Sequence, residues 1–181
     1  VNGFTQTVSA ATLATVAFGT TVLPSAATVN PQNDYVVWQN TVTIGTRAVT
    51  LKSFQLRNIG SIKNSDINNL RLYVDGVQTG GSATLGGTDN TVTWDLSANP
   101  LRLETGGRVI KVVGDIVGGS NSTFQFSLRR ASDAQMVDTD LNQPVLATGN
   151  GTSSTGTFAA RAATSATIAA GTVSTVKANN S

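Results

Sequence analysis

The feature that most constrains the fold of this sequence is the strict alternation of apolar and polar residues along short segments. In NLRLYV (69–74), TVTWDLS (91–97) and STFQFSLR (122–129) every second residue is apolar, whereas a helical spacing of apolar residues is nearly absent. Successive side chains of a β-strand point to opposite faces, so a period of two is typical of a strand with one buried face. The sequence therefore predicts an all-β chain.

Turn-forming sequences separate these segments at short intervals. Glycine, asparagine and aspartate cluster in VDGVQ (74–78), LGGTDN (85–90), ETGG (104–107) and GGSNS (118–122). Short alternating strands at this spacing favour antiparallel sheets packed face to face in a β-sandwich. Its predicted core consists of apolar residues of the alternating segments, namely Val49, Leu51, Phe54, Leu56, Leu70, Leu72, Val74, Val92, Trp94, Ile110, Val112, Phe124, Phe126 and Leu128.

The segment AVTLKSFQLRN changes phase partway along. Val49 and Leu51 share one face of a regular strand, but Phe54 and Leu56 fall on the other. All four side chains can be buried together only if the strand contains an extra residue, so a β-bulge is predicted near Lys52–Ser53.

The Asp-Gly pair in NLRLYVDGVQTGG belongs either to a ligand-binding loop or to a hairpin. Two-residue hairpin turns favour Asp-Gly, because both central residues adopt positive φ angles. Asp75–Gly76 is therefore predicted to form a hairpin turn, with Asp66 and Asn68 preparing the strand that precedes it.

Composition limits the functions open to this chain. The 181 residues suit one large domain, in which 39% of residues are hydrophobic, only 12% are charged, and Thr, Ser, Gly, Asn and Ala are abundant. The net charge is +2, and the arginines are scattered without interleaved aromatic residues, which argues against a nucleic-acid partner. The chain has no Cys, and no stretch reaches the roughly 18 apolar residues of a membrane span. These properties favour an exported protein.

Residues with typical catalytic chemistry are scarce. There is no His and no Cys, and the sequence lacks a GxSxG nucleophile motif, a phosphate-binding loop and a GxGxxG motif. Most aspartates, such as Asp75, Asp89 and Asp133, fall in predicted turns, where capping of the backbone explains them. The sequence therefore predicts no catalytic site, no organic cofactor and no enzymatic activity.

One segment has the spacing of oxygen ligands for calcium. DTDLN places Asp138, Asp140 and Asn142 at alternate positions, as at the start of a calcium-binding loop. Gln143 and Pro144 follow where an EF-hand requires glycine, so an EF-hand is excluded. A calcium site of another kind and a solvated turn both remain open.

Aromatic residues and glycosylation sequons indicate where this chain could bind or carry carbohydrate. Trp94 alternates with apolar residues and is predicted to lie in the core, whereas Trp38 and Tyr73 are candidates for outer faces, and the alternative of glycan binding depends on them. Tyr35 is a further aromatic candidate. The sequons begin at Asn121, Asn150 and Asn179, which is compatible with a surface protein.

The two ends of the chain differ from its middle. Residues 1–20 are predicted to be an extended N-terminal strand or inter-subunit arm, residues 21–150 a β-sandwich domain, and residues 151–181 a C-terminal strand segment rich in Ala, Thr, Ser and Gly or a linker to a further repeat. The N-terminal segment carries no charge and is β-prone, and such segments are commonly paired with another strand. It is expected to pair with another copy or, alternatively, to fold back as the first strand of its own domain.

Four segments resemble a repeat of large bacterial surface proteins. They are VTLKSFQLRNIGS (49–61), DINNLRLYVDGVQTG (66–80), LRLETGGRVIKVVGDI (101–116) and STFQFSLRRASDA (122–134). The resemblance covers about the middle two-thirds of the chain, and its motifs describe strands and turns. It implies an immunoglobulin-like antiparallel β-sandwich with extended terminal strands, used in S-layers, stalks or filaments.

Composition and resemblance together predict a function. The chain is expected to be a non-catalytic structural module of an extracellular, self-assembling surface structure, such as a filament, a pilus-like fibre or a surface layer. Its partners would be copies of itself or adjacent repeats, joined by strand pairing or exchange. The alternative is a glycan- or host-binding adhesin module at the cell surface.

Overall fold

The structure, a computed structural model, describes residues 11–21, 27–149 and 158–171. Its strands, in chain order, are β1 Thr15–Phe18, β2 Thr28–Val29, β3 Gln32–Gly45, β4 Val49–Asn58, β5 Ile67–Val74, β6 Val77–Ala83, β7 Thr91–Asp95, β8 Leu101–Leu103, β9 Gly106–Ile116, β10 Thr123–Phe124, β11 Phe126–Leu128, β12 Ala134–Asp138, β13 Pro144–Val145, β14 Thr148–Gly149, β15 Arg161–Ala162 and β16 Ala166–Ile168. A 3-10 turn, Ala131–Asp133, is the one helical element of the described chain. No described helix has the length and apolar character needed to cross a membrane.

Two large sheets and one small sheet form the fold. The first large sheet has the order β14-β1-β3-β9-β5-β6, and the second has the order β13-β12-β4-β11-β15, with β7 and β8 also pairing with β4. The small sheet has the order β10-β16-β2. The predicted all-β class is therefore confirmed. The first large sheet and the small sheet are mixed, because β1 runs parallel to β14 and β2 runs parallel to β16, whereas the described pairs of the second large sheet are antiparallel.

The core lies between the two large sheets and contains every residue predicted for it. All of the predicted core side chains are at most 5% exposed. Trp38 of the first sheet meets Phe54 of the second with ring centroids 5.5 Å apart, and Phe54 in turn contacts Trp94 at 6.3 Å. Burial of aromatic side chains stabilises a fold by roughly 1.5–3 kcal/mol each through the hydrophobic effect, so this aromatic row is a major contact between the layers.

The predicted bulge in β4 is confirmed at Lys52. Met136 of β12 pairs with Leu51, and Gln135 pairs with Ser53, so Lys52 has no partner in that ladder. On its opposite edge, β4 changes partner at the same position, from β8 to β7. The extra residue keeps the apolar side chains before and after it on the core face.

The Asp75–Gly76 pair forms the predicted hairpin turn. Val74 pairs directly with Val77, and the two residues between them have φ angles of 49° and 83°. Positive φ at both positions is the requirement of a type I′ turn. The Asp75 carboxylate also accepts a hydrogen bond of 2.8 Å from the backbone N–H of Val109, which fixes the turn to β9.

Described parts of both predicted flanks pack against the central strands. β1 pairs with β3 of the same chain, which is the second of the two alternatives for the N-terminal segment. Residues 1–10 of the predicted arm lie outside the described residues. From the C-terminal flank, β15 pairs with β11 and β16 pairs with β10. Ala14 and Ile168 accordingly belong to the same core as the central residues.

Candidate anion-binding site

A polar recess lies where β4, β7 and the segment after β11 meet. Its volume is about 150 Å³. Its walls consist of charged and hydrogen-bonding side chains, namely Gln55, Arg57, Asp89, Thr91, Arg129, Arg130 and Asp133. We refer to these seven residues as the arginine recess.

Strands β4 and β7 supply the floor of the arginine recess. Arg57 lies opposite Thr91 in the antiparallel ladder, and Gln55 lies opposite Thr93. The Gln55 amide nitrogen donates a hydrogen bond of 2.9 Å to the Thr93 hydroxyl. The residues that alternate with Gln55 and Arg57 are buried in the core, so the period of the strand directs these two side chains to the polar face.

A carboxylate holds the other two arginines of the recess, Arg129 and Arg130, in place. Ser127 of β11 lies beside Arg57 of β4, so the residues that follow β11 are brought to the recess. Asp133 then accepts hydrogen bonds from the backbone N–H groups of Arg129 and Arg130, at 3.2 and 2.9 Å. The carboxylate of Asp133 is thus engaged by the backbone, and the turn keeps both arginines at the recess.

The three arginines of the recess have no acidic partner among the described residues. Four other arginines form ion pairs, namely Arg47, Arg71, Arg102 and Arg108. Arg57, Arg129 and Arg130 form none, and the buried Nε of Arg57 has no hydrogen-bond partner. With two aspartates in its walls, the recess has three positive and two negative charges, a net charge of +1.

Asp138, the first predicted calcium ligand, is a buried carboxylate that binds backbone N–H groups. It accepts hydrogen bonds from Asp140 at 2.9 Å, from Leu141 at 3.0 Å and from Ala14 at 2.8 Å. The bond from the Leu141 N–H is the main cause that lowers the pKa of this carboxyl, and it is assisted by those from Ala14 and Asp140 against the opposing effect of burial. The carboxylate thereby ties the chain before β1 to the turn after β12.

The other two predicted calcium ligands lie in that same turn. The exposed Asp140 carboxylate is 3.9 Å from the Arg47 guanidinium, and Asn142 has a φ of 52°. Within the described part of the chain, no group of three or more acidic, His or Cys side chains is arranged to hold a metal. The calcium site at Asp138, Asp140 and Asn142 stays a prediction.

The aromatic candidates for glycan binding are buried or partly buried. Trp38 is fully buried and does not lie on an outer face, while Trp94 is buried as expected. Trp38 alternates with the buried Val42 and Ile44, and a bulge between Val36 and Trp38 turns Val37 to the same face. Tyr73 is partly buried with the Lys111 ammonium 5.2 Å from its ring centroid.

Tyr35 and the three sequon asparagines are the remaining sequence-based candidates. Tyr35 is partly buried and packs edge-on against Phe124, with ring centroids 6.2 Å apart. Among the sequon asparagines, Asn121 is exposed with a φ of 61°, and Asn150 and Asn179 lie outside the described residues.

A second polar cluster links three strands of the first sheet. Asp115 of β9 accepts hydrogen bonds from the backbone N–H of Asp34 at 2.9 Å, from Asn69 at 2.9 Å and from Arg71 at 2.7 Å. Burial raises the pKa of the Asp115 carboxyl, but these bonds and the charge of Arg71 outweigh it, so the pKa is lowered overall. Because its carboxylate is already bonded to three groups, we assign Asp115 to stabilisation of the sheet.

Comparisons with known proteins give similar solved chains and no family. No protein-family model matches the chain, and no curated protein matches it. One of the similar solved chains is titled "AvmM Catalyzes Macrocyclization in Alchivemycin A Biosynthesis"; it is 12% identical, with a TM-score of 0.41, over 90% of this chain and 92% of that chain. At such values nothing about the chemistry of AvmM is carried over to this chain.

Two sequence-based predictions are corrected, that of a non-catalytic structural module and that of no enzymatic activity. The matching solved structure is by its title that of an enzyme, and neither prediction is stated for this chain. Both predictions inferred a lack of catalysis from the absence of His and Cys. Carboxylates, arginines and backbone N–H groups also serve in catalysis, so that inference was too strong. Neither prediction is carried further.

The arginine recess itself was missed by the sequence analysis. The arginines were taken as scattered because they are far apart in the chain. Two local signals were present: alternation places Arg57 on the polar face of β4, and the adjacent pair Arg129–Arg130 directly follows a strand. What the sequence did not show is that β4 and β11 are neighbours.

Proposed function

We propose that this protein binds a small ligand with an oxyanion group, a carboxylate, sulfate or phosphate, in the arginine recess. The observation that carries the proposal is that three arginines without acidic partners line one recess. Placing like charges together is unfavourable unless a counter-charge is bound. The two aspartates in the walls offset part of this charge, and an anionic ligand supplies the remaining counter-charge.

The chemistry of the recess suits an oxyanion. A guanidinium presents five N–H donors in a planar fork that matches the two oxygens of a carboxylate or phosphate. The hydroxyl of Thr91 and the amide of Gln55 add neutral hydrogen-bonding groups. Asp133 opposes binding less than its charge suggests, because its carboxylate accepts two backbone hydrogen bonds.

Titration with simple anions tests the proposal. We expect sulfate, phosphate and acetate to produce saturable chemical-shift changes at the backbone amides of Arg129, Arg130 and their neighbours. Arg57→Gln should weaken binding about tenfold, since a hydrogen bond to a charged group contributes about 1.5–3 kcal/mol.

Arg102→Gln is the matched control. Arg102 is exposed, is paired with Glu104 and lies outside the recess, so its replacement should leave anion binding unchanged. Circular dichroism establishes that both variants keep the fold. The absence of saturable binding of any of the three anions to the unaltered protein would refute the proposal, as would equal losses in the two variants.

The finer fold assignment and the cellular location are also proposals. The immunoglobulin-like assignment is supported by alternating strands in the four segments that resemble surface-protein repeats. An extracellular, cell-surface location is supported by the low share of charged residues, 12%, and by the absence of Cys. Binding to further copies of the chain is proposed on the same resemblance, and light scattering of the purified protein tests it.

A further inference from the structure

We infer that the ligand of the arginine recess is an acidic sugar, with a carboxylate held by the arginines and hydroxyl groups held by the remaining polar side chains. This inference rests on the proposed anion binding and names the class of anion. Three features of the recess carry it: an unengaged carboxylate, neutral hydrogen-bonding groups beside the arginines, and walls without aromatic residues.

The unengaged carboxylate is that of Asp89. It lies in the turn that leads into β7, is exposed, and forms no hydrogen bond or ion pair with the rest of the described chain. A bare anion such as sulfate gains nothing from a carboxylate beside its site and is repelled by it. A ligand that also carries hydroxyl groups gains, because an ionised carboxylate only accepts hydrogen bonds and hydroxyls donate them. Asp89 therefore selects for anions that carry donors.

The neutral groups favour hydroxyls over an ammonium as those donors. Thr91 and Gln55 lie in the same walls as Asp89, and each can both donate and accept a hydrogen bond. A sugar hydroxyl likewise donates and accepts, so it can pair with either residue. An ammonium only donates, so it would leave the O–H of Thr91 and the N–H groups of Gln55 without an acceptor in the ligand.

The absence of aromatic walls explains why the sugar must be acidic. Neutral sugars commonly bind by packing a ring face against Trp, Tyr or Phe, and the arginine recess has no such residue in its walls. Charge-assisted hydrogen bonds, which are about twice as strong as neutral ones, then have to supply most of the affinity. A hexuronic acid combines the required carboxylate and hydroxyls in one small ring.

Four probes separate this inference from simple anion binding. The unaltered protein is titrated with glucuronate, acetate, glycine and glucose, by the same chemical-shift measurement. We expect glucuronate to bind about tenfold more tightly than acetate, because about 1.4 kcal/mol of additional hydrogen bonding corresponds to a factor of ten. Glucose should show no saturable binding.

Replacement of the selecting carboxylate gives the decisive readout. Asp89→Asn should weaken glucuronate binding about fivefold to tenfold and leave acetate binding unchanged or stronger, since a charge-assisted hydrogen bond is lost and a repulsion is removed. Asp95→Asn is the matched control: this carboxylate is on β7 but outside the recess, so neither affinity should change.

Each other outcome has a definite meaning. If acetate and glucuronate bind equally, or if Asp89→Asn weakens both alike, the inference is wrong while the proposed anion binding stands. If glycine binds more tightly than glucuronate, the ligand is a zwitterion and the inference is again wrong. If none of the anionic probes binds, the inference and the proposed function fail together.

Discussion

At the scale of single residues, Arg71 shows how burial decides what an ion pair contributes. Its Nη2 lies 2.7 Å from the Asp115 carboxylate, whose side chain is 3% exposed, and 2.8 Å from that of Asp34, whose side chain is 70% exposed. Asp115→Asn should lower the free energy of unfolding by about 2 kcal/mol, because it weakens buried charged hydrogen bonds. Asp34→Asn removes the exposed carboxylate that pairs with the same arginine, and it should lower the free energy of unfolding by under about 1 kcal/mol. Urea denaturation measures both, and equal losses would contradict this account.

The carboxyls of Asp115 and Asp138 make stability depend on acidic pH. The pKa of each is lowered in the folded protein, so the folded state binds these protons more weakly than the unfolded state. Their contribution to stability is therefore complete above the unfolded pKa, about 3.9 for Asp, and is lost as pH falls through the folded pKa. Because of these two carboxyls, the urea concentration at the unfolding midpoint should not change with pH above about pH 5 and should fall below about pH 4. Asp138→Asn should flatten that fall, and an unchanged slope would count against the assignment.

At the scale of elements, the hairpin between β5 and β6 depends on backbone conformation. Gly76 has a φ of +83°, and a Cβ placed there would meet no atom within 4 Å. Gly76→Ala should therefore lower the free energy of unfolding by about 1–2 kcal/mol, because alanine is unfavourable in the left-handed backbone conformation. Gly81→Ala is the control, since a Cβ there also meets nothing within 4 Å and its φ is not in that region. Similar melting temperatures for the two variants would show that the turn does not require glycine.

The elements also show which features a sequence reveals. The bulge at Lys52 and the turn at Asp75–Gly76 were predicted because each is encoded in a few adjacent residues. Trp38 has the parity of the buried Val42 and Ile44, so regular alternation places it in the core. The consecutive apolar residues before it, which include the bulge residue Val37, obscured that register. Alternation assigns faces correctly only where a strand is regular.

At the scale of the whole molecule, the all-β class and the core followed from local patterns, whereas the pairing of strands did not. Arg57 and Arg129 reach one recess because β4 pairs with β11, a contact between distant parts of the chain. The parallel pairs of β1 with β14 and of β2 with β16 likewise join segments that are far apart in the sequence. A single sequence carries no direct signal for such pairings, so the arginine recess could be found only in the folded chain.

The aromatic row between the two sheets makes the protein its own optical probe. Both tryptophans of the chain belong to it, Trp38 at 0% and Trp94 at 3% exposure, and neither lines the arginine recess. Their emission should be that of indoles shielded from water and resistant to quenching by iodide. It should shift to longer wavelength only when the sheets separate, and it should stay constant when a ligand fills the recess. Intrinsic fluorescence therefore reports the integrity of the core independently of occupancy.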